Sequence, residues 1–111
     1  MIVFIAGMPR SGSTFSFNIA RRLLEDRGSV YQEPTGDLLG AFERLGGAAH
    51  LLLKGHSADK VTLQLAQLGA MKVVCTVRKP ADAIASWMTT FGFTLEQSLG
   101  HMEDWLRMFS A

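Results

Sequence analysis

The sequence predicts an α/β fold: a three-layer sandwich around a mainly parallel sheet of about four strands. Short apolar runs rich in β-branched side chains alternate with segments of helical periodicity along the chain. That alternation is the signature of βαβ units. The first apolar run breaks into a Gly/Ser/Thr loop and then a helix, the way an anion cradle is built at a helix N-terminus. Among 111 residues, 48% are hydrophobic and 19% charged, a balance expected of one ordered globular domain over residues 1–111.

The elements follow in order. Residues 2–6, Ile-Val-Phe-Ile-Ala, read as a buried strand. A helix runs from Thr14 to about Arg27, with Phe15, Ile19, Leu23 and Leu24 as its apolar face, and Gly28 ends it. Ser29 to Gln32 form a short strand, ended by Glu33-Pro34. Residues 36–45 place Leu38, Leu39, Phe42 and Leu45 at helical spacing, in a helix weakened by Gly36, Gly40, Gly46 and Gly47. Leu51 to Leu53 make a brief strand. Ser57 is placed to N-cap a helix through Leu68 that turns Val61, Leu65 and Leu68 inward. Lys72 to Val77 give the clearest later strand, and Pro80 opens a helix through Met88. Thr94 and Gln97 have capping-box spacing for a last helix, with Leu95, Leu99, Met102, Leu106 and Phe109 on one face. That stripe would cap the sheet, or be covered by a partner subunit such as a second copy of the chain, or by a missing domain.

A net charge of +1 with scattered basic residues argues against a nucleic-acid binder. The single cysteine, Cys75, lies in an apolar run and reads as a buried core thiol. It allows neither an internal disulfide nor a cysteine-based zinc site, and it points to a reducing, cytoplasmic compartment. No apolar stretch reaches the ~20 residues of a spanning helix, and the N-terminal run is too short for a signal peptide.

The loop Gly7-Met-Pro-Arg-Ser-Gly-Ser-Thr14 has the G-x-x-x-x-G spacing of a P-loop, with Thr14 where that pattern places Ser or Thr. Ser13 stands where the pattern has Lys, and Arg10 is the loop's only cation. A nucleoside-triphosphate enzyme that relies on that Lys would be crippled. A site needing a planar, bidentate cation would not. The plain alternative is an ordinary Gly/Ser turn.

Ligands of open α/β sheets bind beyond the carboxyl ends of the strands. Those ends here carry the Gly7–Thr14 loop, then Glu33, then Lys54 and His56, then Arg78, with Ser86 on the following helix. Arg78 and Ser86 would make a second anion site apart from the first. The ligand so implied is a nucleotide with phosphate at two places.

These residues resemble the sulfotransferases that use 3′-phosphoadenosine 5′-phosphosulfate (PAPS). Pro9-Arg-Ser-Gly-Ser-Thr-Phe15 is similar to the family's 5′-phosphosulfate loop, with Arg10 where cytosolic members have Lys, as in tyrosylprotein sulfotransferases. Arg78-Lys-Pro-Ala-Asp-Ala-Ile-Ala-Ser86 resembles its 3′-phosphate motif, and Leu53-Lys-Gly-His56 its Lys-x-His segment. The resemblance covers most of residues 1–90; the family's C-terminal basic-Gly motif has no counterpart after Ser86, so the chain resembles a short or truncated member. It implies that Arg10 binds the phosphosulfate, that Ser11, Gly12, Ser13 and Thr14 hold the 5′-phosphate, that Phe15 stacks on adenine, and that Arg78 and Ser86 hold the 3′-phosphate. His56 would be the catalytic base, and Glu33 its rival, since some Arg-type members use a carboxylate. The implied chemistry is sulfuryl transfer from PAPS to a hydroxyl or amine of a small-molecule or glycan acceptor, releasing 3′-phosphoadenosine 5′-phosphate (PAP) without a metal. A P-loop nucleotide or small-molecule kinase and a non-catalytic PAP-binding module are the alternatives. His50 and His101 have no motif context; Trp87 and Trp105 read as core or interface, and the Phe91-Gly-Phe93 turn as acceptor lining or packing.

Overall fold

A computed structural model describes residues 1–110. Nine elements alternate as expected: β1 (Ile2–Gly7), α1 (Ser13–Glu25), β2 (Val30–Glu33), α2 (Leu38–Arg44), β3 (His50–Gly55), α3 (Lys60–Gln67), β4 (Lys72–Thr76), α4 (Pro80–Phe91) and α5 (Leu95–Ser110). The four strands form one parallel sheet in the order β2-β3-β1-β4. From β1 the chain crosses to β2 on one side; from β3 it crosses to β4 on the other. The crevice between the carboxyl ends of β1 and β3 is therefore the sheet's topological switch point.

Strand alternation divides the core in two. Val3, Ile5 and Leu52 face Phe17 and Leu24 of α1. Phe4, Ala6, Leu51 and Leu53 face the opposite layer, with Leu38 and Ala41 of α2, Ala83 of α4, and Met102, Trp105 and Met108 of α5. Leu63, Leu65 and Ala66 of α3 pack against that second cluster. The sandwich thus has α1 on one face and the other helices on the other.

Several local expectations are corrected. Phe15, Ile19 and Leu23 do not face the core: they are 69%, 45% and 63% exposed, and α1 instead buries Ser13, Phe17 and Leu24. Two helical stripes were available, and the one that can reach β1 and β3 from the loop is the buried one. In α5 the buried set is Ser98, Met102, Trp105 and Met108, so Leu95, Leu99, Leu106 and Phe109 lie toward solvent. Thr62 is the buried residue of α3, with Val61 and Leu68 exposed. Leu39 and Phe42 of α2 are likewise exposed. Cys75 is exposed, because β4 is an edge strand.

Boundaries shift for identifiable reasons. α1 stops at Glu25, two residues before Arg27. Asp37 caps α2 by accepting from the Gly40 amide, and Asp59 rather than Ser57 caps α3 by accepting from the Thr62 amide. β3 reaches Gly55, so Lys54 is a strand residue and His56 the first beyond it. Glu33 closes β2 rather than following it, and β4 ends at Thr76, one residue before Val77. α4 continues past Met88 to Phe91, where Gly92 takes the left-handed conformation, φ 67°, that ends it. The capping box forms: the Gln97 amide donates to Thr94 Oγ1 at 3.1 Å, and the Thr94 amide to Gln97 Oε1 at 2.9 Å.

Leu53 sits at the centre of β3 with no exposed surface. Leu53→Ala should lower the unfolding free energy by about 2–5 kcal/mol, read from urea denaturation. A change below about 0.5 kcal/mol, the usual range for surface substitutions, would show that this strand is not the core.

Candidate anion-binding active site

The loop after β1 is built by close approach. A Cβ on Gly7 would collide with Ser13 Cβ and lie 3.1 Å from Thr76 Oγ1, so only glycine lets α1 start directly against the strand end. Gly12, at φ 83°, is the N-cap of α1 and has no side-chain cap bond. No Gly12 side chain caps the first amides of α1, the kind of donors that favour an anion at a helix N-terminus. Arg10 is also left-handed, at φ 59°, the only non-glycine with positive φ among the described residues. Such a conformation costs of order 1–3 kcal/mol and persists only where its surroundings hold it.

The neighbouring strands hold it. The Met8 amide donates to the Thr76 carbonyl at 2.9 Å, and Ser11 Oγ bonds Thr76 Oγ1 at 2.6 Å. Arg78 Nη1 donates to the Arg10 carbonyl at 3.1 Å. Arg10 Nε donates to Ser86 Oγ at 3.1 Å, and its guanidinium lies 5.3 Å from the Phe91 ring centroid, within range of a cation–π contact. From β3, Lys54 Nζ donates to Thr14 Oγ1 at 2.9 Å.

His56 Nδ1 lies 2.6 Å from the Gly7 carbonyl oxygen. A carbonyl only accepts, so Nδ1 carries the proton, and in the neutral ring Nε2 is left with a lone pair. The backbone of β1 thus sets the tautomer of a side chain from β3.

These groups share one cleft of about 510 Å³, lined by the Pro9–Thr14 loop, Lys54, His56, Arg78, Trp87 and Phe91. It gathers two guanidiniums, an ammonium and an imidazole, and among the described residues it has no lining carboxylate. A second groove of about 310 Å³ continues from it, sharing His56, Trp87 and Phe91 and adding Ser57, Phe93, His101 and the carboxylate of Asp104. There Trp87 lies 5.6 Å from Phe93 and 4.7 Å from His101, ring centroid to centroid.

Of the residues singled out from sequence, Arg10, Ser11, Gly12, Ser13, Thr14, His56 and Arg78 line the cleft, and Ser86 joins through Arg10. Phe15 does not: it lies outside on α1, beside Ile19 and Leu23. The aromatic rings that do line the cleft are Trp87 and Phe91; Phe91 is brought there because α4 continues past Met88 to Phe91. Lys54, named from sequence as a group at the carboxyl end of the third strand, enters the cleft and binds the loop through Thr14.

Glu33 is elsewhere engaged. It is 6% exposed, accepts from Thr35 Oγ1 at 2.6 Å, and pairs with Arg44 Nη2 at 2.6 Å. Arg44 also donates from Nε to Tyr31 Oη at 2.9 Å. The Thr35 hydroxyl, then Arg44, hold the Glu33 carboxyl below the usual carboxylate range. A carboxylate so stabilised as an anion is a poor base, and it does not line the cleft.

Comparison with protein-family models, curated proteins and solved structures finds no match. No helix among the described residues is long and apolar enough to cross a membrane.

A lowered folded-state pKa means that Glu33 binds its proton later in the folded chain than in the unfolded one. Its contribution is therefore present above the ordinary value of 4.5 and is lost as pH falls through the lowered value. Glu33→Gln should reduce Tm at pH 7, with the gap to wild type shrinking in acid. Thermal unfolding at pH 7 and pH 3 measures this; an equal gap at both would show that the ionised carboxylate contributes nothing.

Proposed function

We propose that this chain is a sulfuryl-transfer module that uses PAPS as donor. The observation that carries the reading is the cleft's inventory: Arg10, Lys54, His56 and Arg78 around one Gly/Ser/Thr loop, with no carboxylate lining it among the described residues and Asp104 in the adjoining groove. A magnesium-dependent kinase needs oxygen ligands for its metal near the phosphates. A donor whose leaving group is neutralised by guanidinium, ammonium and backbone amides does not.

In this reading the amides of Ser11 to Thr14, with Lys54 and Arg10, hold the 5′-phosphosulfate. Arg78 and Ser86 hold the 3′-phosphate. In the present structure Ser86 accepts from Arg10, so Arg10 exchanges that hydroxyl for the sulfonated end of the donor and releases Ser86 to its own anion. PAPS supplies the sulfuryl group and departs as PAP. The acceptor lies in the groove beside Trp87, Phe91 and Phe93. His56 Nε2 takes the acceptor's proton as its oxygen or nitrogen forms the bond to sulfur and the bond from sulfur to the 5′-phosphate oxygen breaks. Arg10 and Lys54 neutralise the charge that develops on that phosphate. The Gly7 carbonyl keeps His56 in the tautomer that can do this, and stabilises the imidazolium that follows.

Arg78→Ala should weaken PAP binding roughly ten- to hundredfold, the worth of a hydrogen bond to a charged group. Binding of adenosine 5′-monophosphate, which lacks the 3′-phosphate, should change far less. Equal losses for both nucleotides would remove Arg78 from its role. His56→Ala should cut transfer by about 10²–10⁴ while PAP affinity holds. Full transfer by that variant would assign the proton to another base.

A further inference from the structure

Ser11 lines the basic cleft, yet its hydroxyl is engaged by residues that do not. Its Oγ lies 2.5 Å from the Met8 carbonyl oxygen, 2.6 Å from Thr76 Oγ1 and 3.2 Å from the Thr76 carbonyl oxygen. A serine hydroxyl has one proton, and carbonyl oxygens only accept. The Thr76 carbonyl already accepts from the Met8 amide at 2.9 Å. The nearer Met8 carbonyl therefore takes the Ser11 proton, and the Thr76 hydroxyl donates to Ser11 Oγ. The oxygens of an anion also accept, so a Ser11 hydroxyl held this way has no proton for them.

These bonds close the strained part of the loop. Residues 8 to 11 form a turn whose third residue, Arg10, is left-handed at φ 59°. The Ser11 hydroxyl spans that turn to Met8, and Thr76 fastens it to the end of β4. Sheet register puts Thr76 in place: it pairs with Gly7, and a Cβ on Gly7 would lie 3.1 Å from Thr76 Oγ1. A left-handed residue other than glycine persists only where its surroundings over-determine it. The Ser11, Gly12 and Ser13 amides follow Arg10 directly, so their direction depends on its conformation.

We infer that Thr76 is a positioning residue for the anion loop. Its hydroxyl, donated to Ser11, holds the Met8–Ser11 turn in the shape that aims the following amides at the cleft. Ser11 then serves an anion through its backbone, while its side chain acts as a peg between the loop and β4. This role rests on the reading of the cleft as an anion site, and not on the donor being PAPS.

The test uses the whole chain, with PAP and inorganic sulfate as probes, followed through the Gly12 and Ser13 amide signals in ¹⁵N–¹H spectra. Thr76→Val, which keeps the shape and removes the hydroxyl, should weaken PAP about two- to tenfold, the worth of a neutral hydrogen bond. Thr76→Ser, which keeps the hydroxyl, should restore the affinity. Ser11→Ala should lose a similar factor, and the double variant no more than the larger single loss, because the two hydroxyls act as one unit. A merely structural Thr76 would lower Tm and leave the affinity of the folded chain unchanged, and that result would overturn the role. Losses that multiply in the double variant would also overturn it, and would make the Ser11 hydroxyl a direct ligand. Sulfate separates this role from the sulfuryl-transfer reading. If sulfate binds and PAP does not, that reading fails, and the same variants measured with sulfate decide the role of Thr76. If PAP binds equally to wild type and Thr76→Val, the role fails and the reading stands. A wild-type chain that binds neither anion would overturn both.

Discussion

The site depends on one tight passage at Gly7. There the central strand ends, α1 begins after a short loop, and no side chain separates them. The absent Cβ lets Ser13 pack against the strand end. The carbonyl of the same residue accepts from His56. One glycine therefore sets both the entry of the helix that would hold an anion and the protonation pattern of the imidazole beside it. The parallel register then places the other groups. Ala6 pairs with Gly55 and Gly7 with Thr76, so the ends of β3 and β4 meet the loop at one level. A slip of one residue would carry Lys54 to the other face of the sheet.

The positive groups gathered there repel one another, and the fold manages that by giving most of them a local acceptor. Arg10 has Ser86, Arg78 has the Arg10 carbonyl and Lys54 has Thr14, while the His56 imidazole beside them has the Gly7 carbonyl. Every one of these acceptors is neutral, so the net positive field remains for an incoming anion. Glu33, the carboxylate at the end of β2, is held apart by Thr35 and Arg44. Its charge is compensated outside the cleft, where it cannot cancel Arg10.

The sheet, its parallel sense and the gathering of groups at its carboxyl ends were legible because they rest on coarse signals. Alternating elements, a Gly-rich turn after an apolar run, and basic residues near the ends of β1, β3 and β4 survive errors of a residue or two. Which stripe of a helix is buried did not survive. α1 offers Phe15-Ile19-Leu23 and also Phe17-Leu24; α5 offers Leu95-Leu99-Leu106 and also Met102-Trp105-Met108. Periodicity finds both, and only the position of the sheet chooses. The aromatic lining followed the same limit. Phe15 is next to the loop in sequence but points off the helix flank, whereas Phe91 is remote in sequence and reaches Arg10 across space. The fate of Glu33 needed Arg44, eleven residues on and in another element, a pairing that no local pattern announces.

The central claim is that the cleft recognises an adenine nucleotide by two separate anions and without a metal-held triphosphate. Calorimetric titration of the whole chain with PAP, and separately with ATP and magnesium, tests it most directly. Saturable PAP binding, much tighter than binding of ATP with magnesium and unchanged by a chelator, is the expected result. Tight binding of ATP that requires magnesium, with no heat from PAP, would contradict it.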